Sequence, residues 1–315
     1  MRVDLMVEGQ EDVGWEDWTA LARACEDAGI GTLFRSDHYF SVDEIAARGS
    51  LDAWGTICGL AAVTDRLGLG TLVSPATFRH PSVLAKLAVT AQAIGGPGRI
   101  EIGLGTGWWK AEHSAYGFPF PGKGDRMSQL TECAELVSRE LGEEQVTFEG
   151  EFFRTEELTA WPLPDPKPPL ILGGQGGPRS AALAAAWADE YNTPHKTLEQ
   201  CREIRVAIDS ACESVGRGPI PLSVMLGFVV GRDRDTLLAK AVEHARWRQS
   251  ELAADPEAYL AELPGHYVSG TTDEVAAQLR ELEAAGVSRA MFQHHCYWDH
   301  ETTDLIGREL APLLA

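Results

Sequence analysis

The sequence predicts a (β/α)₈ barrel, an α/β fold, carrying a β-hairpin insertion after its fourth strand. Two observations predict it. Strand-like and helix-like patterns alternate through eight units, and the length of 315 residues suits one barrel of about 250 residues plus an insertion. Repeated strand-then-helix order gives a parallel sheet. Eight such units close into a cylinder whose active site lies on the loops after the strand C-termini. A doubly wound open sheet is the competing layout. Residues 1–315 read as one domain, with the insertion at about 142–169.

The elements follow in order. Val3, Leu5 and Val7 alternate with Arg2, Asp4 and Met6, a period of two that marks the first strand. Trp18, Leu21, Ala22 and Cys25 lie at helical spacing within Trp15–Ala28, and Gly29 stops that helix. Thr32–Arg35 is the second strand, Asp52–Thr64 a helix, Gly70–Ser74 the third strand. Pro81 opens the helix Ser82–Ile94, where a helix start tolerates it. Ile100–Leu104 is the fourth strand and Asp125–Leu141 a long helix. Val146–Thr155 then reads as a hairpin around Glu149-Gly150, followed by a rigid proline-rich connector at 162–169. The alternation resumes with Leu170–Gly173, Pro178–Trp187, Glu190–Thr193, Leu198–Val215, Leu222–Val230 and Arg234–Gln249. A capping box from Thr271 to Glu274 opens the helix Asp273–Ala285. Strand Ala290–His294 and helix Thr302–Leu314 close the chain.

Composition bounds the function. Apolar residues make up 44% and charged residues 23%, an ordinary globular mixture. With 27 Lys+Arg against 47 Asp+Glu the net charge is −20, which repels phosphate backbones and anionic lipid. Nucleic acid and membrane are therefore not expected as partners; a small-molecule substrate is. The six cysteines form no C-x-x-C pair and read as small core residues in a reducing compartment. No secretion signal is visible, and the longest apolar stretch, around Ala181–Ala188, falls far short of the ~20 residues that span a bilayer. A soluble, cytoplasmic protein is expected.

In a barrel the residues after each strand carry the chemistry. Gly173-Gly174-Gln175-Gly176-Gly177 runs from a strand into a helix at Pro178, an arrangement that aims backbone N–H groups at an anion; the alternative is a plain flexible turn. Gly103-Leu104-Gly105-Thr106-Gly107 has no helix start close behind it and no dinucleotide fingerprint, so a Rossmann site is rejected. It reads as backbone open to a flat ring, with Trp108 and Trp109 walling the pocket or packed in the core. Asp37-His38 is the best acid–base candidate, because a neighbouring carboxylate holds an imidazolium and a strand-end His exchanges protons near neutral pH. His294, His295, Cys296 and His300 suggest zinc by type, but adjacent strand residues point to opposite faces and the spacing matches no standard site. No metal is expected; His294 and His295 read as pocket lining or rim. Glu8, Glu101 and Glu112 show no carboxylate-pair spacing, and no G-x-S-x-G, Walker or H-E-x-x-H motif is present.

Several ordered motifs together resemble the luciferase-like monooxygenase superfamily. They are Ser36-Asp37-His38, Phe78-Arg79-His80-Pro81, Gly103-x-Gly105-x-Gly107-Trp108, Glu112-His113-x-x-Tyr116-Gly117-Phe118-Pro119, Val146-Thr147-Phe148-Glu149-Gly150 and Ile171-Leu172-Gly173-Gly174. Within the superfamily the chain looks closest to the actinobacterial oxidoreductases that use the deazaflavin coenzyme F420. The resemblance runs from Met1 to about Asn192 and more weakly beyond. It implies a barrel binding a flat tricyclic cofactor at the strand C-termini. It implies Asp37 and His38 near the ring, with His38 the proton donor or acceptor. Leu72 and Val73 match the strand-three position that carries a non-proline cis peptide in many relatives. Thr106 and Gly107 match ring or ribityl contacts, and Gly173, Gly174, Gln175 and Gly176 match the segment holding the ribityl-phosphate chain. The glucose-6-phosphate dehydrogenases of this group carry Glu where this chain has Trp108, and many flavin relatives carry Asn where it has Trp109. An aromatic wall suits a hydrophobic or planar substrate.

The resemblance implies hydride transfer with F420 at His38. The alternatives are an FMN-dependent monooxygenase and a cofactor-binding protein without turnover. Relatives are often homodimers. The F420 tail is anionic, so a local basic lip is expected on this acidic chain, with Arg79, His80, Lys86, Lys110, Lys123 and Arg179 as candidates.

Overall fold

A computed structural model describes residues 1–42 and 47–315. Eight parallel strands pair in a closed circle. They are β1 (Arg2–Val7), β2 (Thr32–Arg35), β3 (Gly68–Thr71), β4 (Ile100–Gly105), β5 (Leu170–Gly173), β6 (Glu190–Pro194), β7 (Leu222–Gly231) and β8 (Arg289–Gln293). The circle closes where β8 returns to β1 in the register Arg2↔Arg289 through Met6↔Gln293. The expected barrel is therefore present, and the open sheet is not. Because every barrel pair is parallel, all strand C-termini share one end.

The alternation in β1 has a different meaning from an exposed-versus-buried pattern. Both of its faces are buried from Val3 to Val7. Val3, Leu5 and Val7 pack outward against the helices in the main core. Asp4 and Met6 point into the cylinder. There Met6, Phe34, Leu72, Ile171, Met225 and Met291 form a separate apolar plug. At the N-terminal end of the barrel Arg289 bonds Asp4 at 2.6 Å, Glu101 at 2.7 Å and Glu190 at 3.1 Å. Charges buried there are paired, as burial requires.

Outside the cylinder, Trp18 and Trp54 are fully buried on the first two helices, Trp15–Ala28 and Ala53–Val63. Truncating either to Ala costs about 3–5 kcal/mol. Gln145–Glu149 and Arg154–Thr159 pair antiparallel as a separate two-stranded sheet. Several features depart from the sequence reading, among them a short helix, Pro256–Ala261, that it does not contain. A seven-residue helix, Lys110–Tyr116, follows the β4 loop closely. An extra strand, Tyr267–Thr271, pairs with the outer half of β7 beyond the barrel circle. The last expected helix is helical only over His300–Leu305, then wider and tighter turns finish the chain. All six cysteines are unpaired, and all but Cys58 are buried.

Candidate active site

The loop after β2 is fixed from below by Arg35. This buried guanidinium donates to the Ser36 carbonyl at 2.9 Å, Thr56 Oγ1 at 2.7 Å and the Leu51 carbonyl at 2.9 Å. Asp37, 1% exposed, accepts from Arg79 Nη1 at 2.5 Å, Arg79 Nη2 at 3.1 Å and Ser74 Oγ at 2.6 Å. Its carboxylate is thus occupied inside the protein. His38 finds its carboxylate elsewhere. Its Nδ1 lies 2.8 Å from Glu112 Oε2, and Glu112 Oε1 accepts the Tyr39 N–H at 2.5 Å. Burial alone would lower the His38 pKa. The hydrogen bond and charge of Glu112, with smaller help from Glu8 and Asp37, outweigh it and raise the pKa. The expectation that Asp37 holds the imidazolium is corrected: Glu112 does, and Asp37 is a minor influence. The sequence reading named Glu112 but missed its role, because it missed the helix Lys110–Tyr116 that carries it to His38.

The Leu72–Val73 peptide bond is cis, at the position the resemblance indicates. Val73 then occupies the space beside three glycines. A Cβ placed on Gly105 would lie 2.6 Å from Val73 Cγ2, and one on Gly173 would lie 3.0 Å from Val73 Cγ1. One on Gly103 would meet the Thr71 carbonyl oxygen at 2.1 Å. Packing against β3 therefore requires these glycines before any ligand does. Gly107 has φ +70°, a left-handed conformation that glycine adopts without penalty. Thr106 beside it is half-buried. Trp108 is 63% exposed, and its ring lies 5.9 Å from Trp109 at 18°. His38 sits edge-on to both, at 5.8 and 6.2 Å. Phe40 extends the wall at 4.5 Å from Trp109. Neither tryptophan is a core residue.

At the end of β5, two amides expected to be free have partners. Gly174 N–H donates to the Asn192 carbonyl at 2.9 Å, and Gly176 N–H to the Tyr191 hydroxyl at 2.8 Å. Gln175 is exposed, and its Oε1 accepts from Lys196 Nζ at 2.5 Å. The donors left open here are the amides of Gln175 and Gly177 and those of Arg179 and Ser180 in the first turn of the helix Pro178–Trp187, where helix geometry provides no intrahelical acceptor. This segment and His38 share the C-terminal end of the barrel.

The two histidines after β8 diverge. His295 is 6% exposed, stacks on Trp247 at 4.3 Å, and lines a cavity of 430 Å³ with His195, Tyr267 and Gln293. His294 lies outside that cavity, against Phe228 and Thr303. Burial pushes its pKa down to about 4. Among the described residues, no cluster of three or more His, Cys, Asp or Glu is placed to hold a metal, and no helix is long and apolar enough to cross a membrane.

The basic lip is smaller than expected. Arg79 turns inward to Asp37 and Asp52. His80 caps its helix by accepting the Ser82 N–H at 3.2 Å. Lys86 bonds the carbonyls of Ala160 and Trp161. Lys110, Lys123 and Arg179 remain exposed.

Known proteins resemble this arrangement. A glucose-6-phosphate dehydrogenase of Nakamurella multipartita, described as F420-dependent, is 31% identical over 78% of this chain and 72% of its own. An F420-dependent hydroxymycolic acid dehydrogenase of Mycobacterium tuberculosis is 30% identical over 75% of this chain and 64% of its own. A solved F420-dependent secondary alcohol dehydrogenase, in complex with an F420-acetone adduct, superposes with a TM-score of 0.79. It covers all of both chains at 18% identity, a likeness of fold. Residues 2–289 match the luciferase-like monooxygenase family, and the chain belongs to that family.

Proposed function

We propose that the protein is an F420-dependent oxidoreductase that moves a hydride between the deazaflavin and an organic substrate, with His38 as the proton donor or acceptor. The observation that carries this reading is the His38–Glu112 pair at the same barrel end as the helix start at Pro178. Its supports are the F420-dependent relatives above.

The residues present fit such a cofactor. Trp108, Trp109 and His38 offer a wall for a flat ring. Arg179 and Ser180 offer first-turn amides to a phosphate. Thr106, Gly107, Gly173, Gly174, Gln175 and Gly176 form the rest of the rim between them. Leu72 and Val73 pack beneath it, and Asp37 serves through Arg79 and Ser74 as a positioning residue. When bound, the deazaflavin supplies a ring carbon that carries hydride. Glu112 takes the Nδ1–H of His38, which fixes the tautomer and leaves Nε2 to meet the substrate. In the oxidative direction neutral Nε2 accepts the proton released from a substrate hydroxyl. In the reductive direction the imidazolium returns it. Burial of Glu112 at 0% exposure keeps water from loosening this pair. The tryptophan wall suits a substrate with a planar or hydrophobic part.

Anaerobic titration of the protein with F420 and with FMN, read by fluorescence, tests the cofactor. Tighter binding of F420 is expected; preference for FMN overturns the reading in favour of a monooxygenase. His38→Ala is expected to lower the rate at saturating substrate roughly 10²–10⁴-fold, with cofactor affinity little changed. Full turnover in that variant removes His38 from the chemistry.

A further inference from the structure

The 430 Å³ cavity beside the barrel mouth differs in character from the tryptophan wall. His195, directly after β6, and Gln293, at the end of β8, place it at the same end as His38. Gln293 links the two regions: it donates to Glu8 after β1 at 2.6 Å and lies 3.1 Å from His195 Nε2. The remaining walls combine the apolar Leu252, Leu263 and Pro264 with polar side chains. Tyr259, Tyr267, His266 and His295 line it, and so does Arg248, at the C-terminus of the helix Arg234–Trp247.

Arg248 sets the charge of this space. Among the described residues its guanidinium has no hydrogen-bond or ion-pair partner. Three histidines around it, His244, His266 and His295, do not add charge at neutral pH. Burial, and then Arg248 itself among the neighbours, hold His244, His266 and His295 below the ordinary histidine range. The same cation acts on Tyr259 and Tyr267. Glu262, the one carboxylate that lines the cavity, is an exposed side chain. A hydrogen-bonded chain runs along one wall, Tyr259 hydroxyl to His244 Nδ1 at 2.6 Å and His244 Nε2 to His295 Nδ1 at 3.0 Å. The lining therefore supplies one unpaired cation and several neutral donors.

We propose that this cavity binds an anionic group of the substrate, a carboxylate or a phosphoryl oxyanion, with Arg248 as its counter-ion and the Tyr259 and Tyr267 hydroxyls and His266 as neutral donors. The inference rests on the reading above only in assigning the anion to the substrate of the His38 centre. It makes the substrate amphiphilic: a planar or apolar part at Trp108 and Trp109, and an acid group some way across the mouth.

Calorimetric titration of the full chain without cofactor tests it, with sodium sulfate and sodium acetate as probes. Both are fully ionised from pH 6 to 8, and they separate a tetrahedral phosphoryl preference from a carboxylate preference. Saturable binding is expected, weakened roughly 10–100-fold in Arg248→Gln, the range for losing a hydrogen-bonded charge. Arg248→Lys is expected to recover part of it, and Arg23→Gln, at an exposed arginine on the helix Trp15–Ala28, to leave it intact. Because Arg248 is exposed, an unchanged thermal midpoint in the variants is expected and shows that the fold persists. Equal binding by Arg248→Gln and the unaltered chain, or loss of all binding in Arg23→Gln, overturns the proposal. Failure of F420 to bind in the separate titration would overturn the cofactor reading instead, and leave the sulfate result standing.

Discussion

Glu112 and His38 are 74 residues apart in sequence and 2.8 Å apart in the fold. One lies on a short helix after β4 and the other on the loop after β2, and the barrel brings the two loops together at its rim. The carboxylate is fully buried and spends both oxygens on this loop, one on the imidazole and one on the Tyr39 amide.

Glu112→Gln is therefore expected to move the pH profile in a defined direction. Burial lowers the His38 pKa, and Glu112 more than reverses it. Without that charge burial wins, so the His38 pKa falls. In the role proposed for it His38 must arrive neutral for substrate oxidation, so the acid limb of the kcat profile is expected to move to lower pH. Stability follows the same sign. A raised histidine pKa contributes stability that is complete below the unfolded-state pKa and fades as pH rises through the folded one. Unaltered protein should lose thermal midpoint over that interval, and the variant should lose less. An acid limb that stays in place would remove Glu112 from the control of His38.

How much of this was legible in the sequence depends on the range of the interaction that decides each feature. Trp15–Ala28, Thr32–Arg35, Leu170–Gly173 and Pro178–Trp187 read correctly to the residue, because local periodicity and Gly or Pro punctuation bound them. The strand Tyr267–Thr271 did not, because it pairs only with the outer half of β7 and is buried on alternate residues alone. The helix Lys110–Tyr116 is two turns long and polar, too short to show a repeating face. His38 was legible from its place after a strand, whereas its partner was chosen by tertiary contact. The glycines of β4 were visible, but the sequence reading is corrected by one added cause: Val73 and the Thr71 carbonyl fill the space beside Gly103 and Gly105.

That correction is testable without any cofactor. A Cβ on Gly103 would sit 2.1 Å from a backbone oxygen, which cannot swing aside. Gly103→Ala should cost about 1–3 kcal/mol or more, the range for overpacking, in the cofactor-free protein. Gly124→Ala is the control. It lies in the helix Lys123–Glu140 with nothing near its would-be Cβ, and should stabilise by up to about 1 kcal/mol. Thermal unfolding measures both. If Gly103→Ala keeps its stability and loses only cofactor affinity, the glycine serves the ligand after all.

Arg79 was expected at the basic lip and is instead the counter-ion of Asp37. Arg79→Met leaves a carboxylate that is 1% exposed with only the Ser74 hydroxyl to hold it. Removing one partner of a buried pair costs about 3–5 kcal/mol, much of it the stranded charge. The double variant Arg79→Met/Asp37→Asn removes that charge and should recover part of the loss. Urea midpoints of the two proteins measure the difference. Equal midpoints would show that Asp37 is solvated enough not to need Arg79.

With Arg79, His80 and Lys86 engaged elsewhere, Lys110, Lys123 and Arg179 are what remains of the six candidates to meet the cofactor's anionic tail on a chain of net charge −20. Two fields then oppose each other, and salt separates them by sign. Added salt screens beyond a Debye length of about 10 Å at 0.1 M. If the three nearby cations dominate, affinity for the tailed cofactor falls with ionic strength, more steeply than affinity for a tail-free deazaflavin. If the general negative surface dominates, affinity for the tailed form rises instead. The cations are expected to win, because they lie at the barrel end proposed for the cofactor and charges farther away are screened first. Lys110→Gln combined with Lys123→Gln should then flatten the slope for the tailed cofactor and leave the tail-free one unchanged. Equal salt dependence of the two cofactors, in the unaltered protein, would mean that the tail lies in solvent and that no lip holds it.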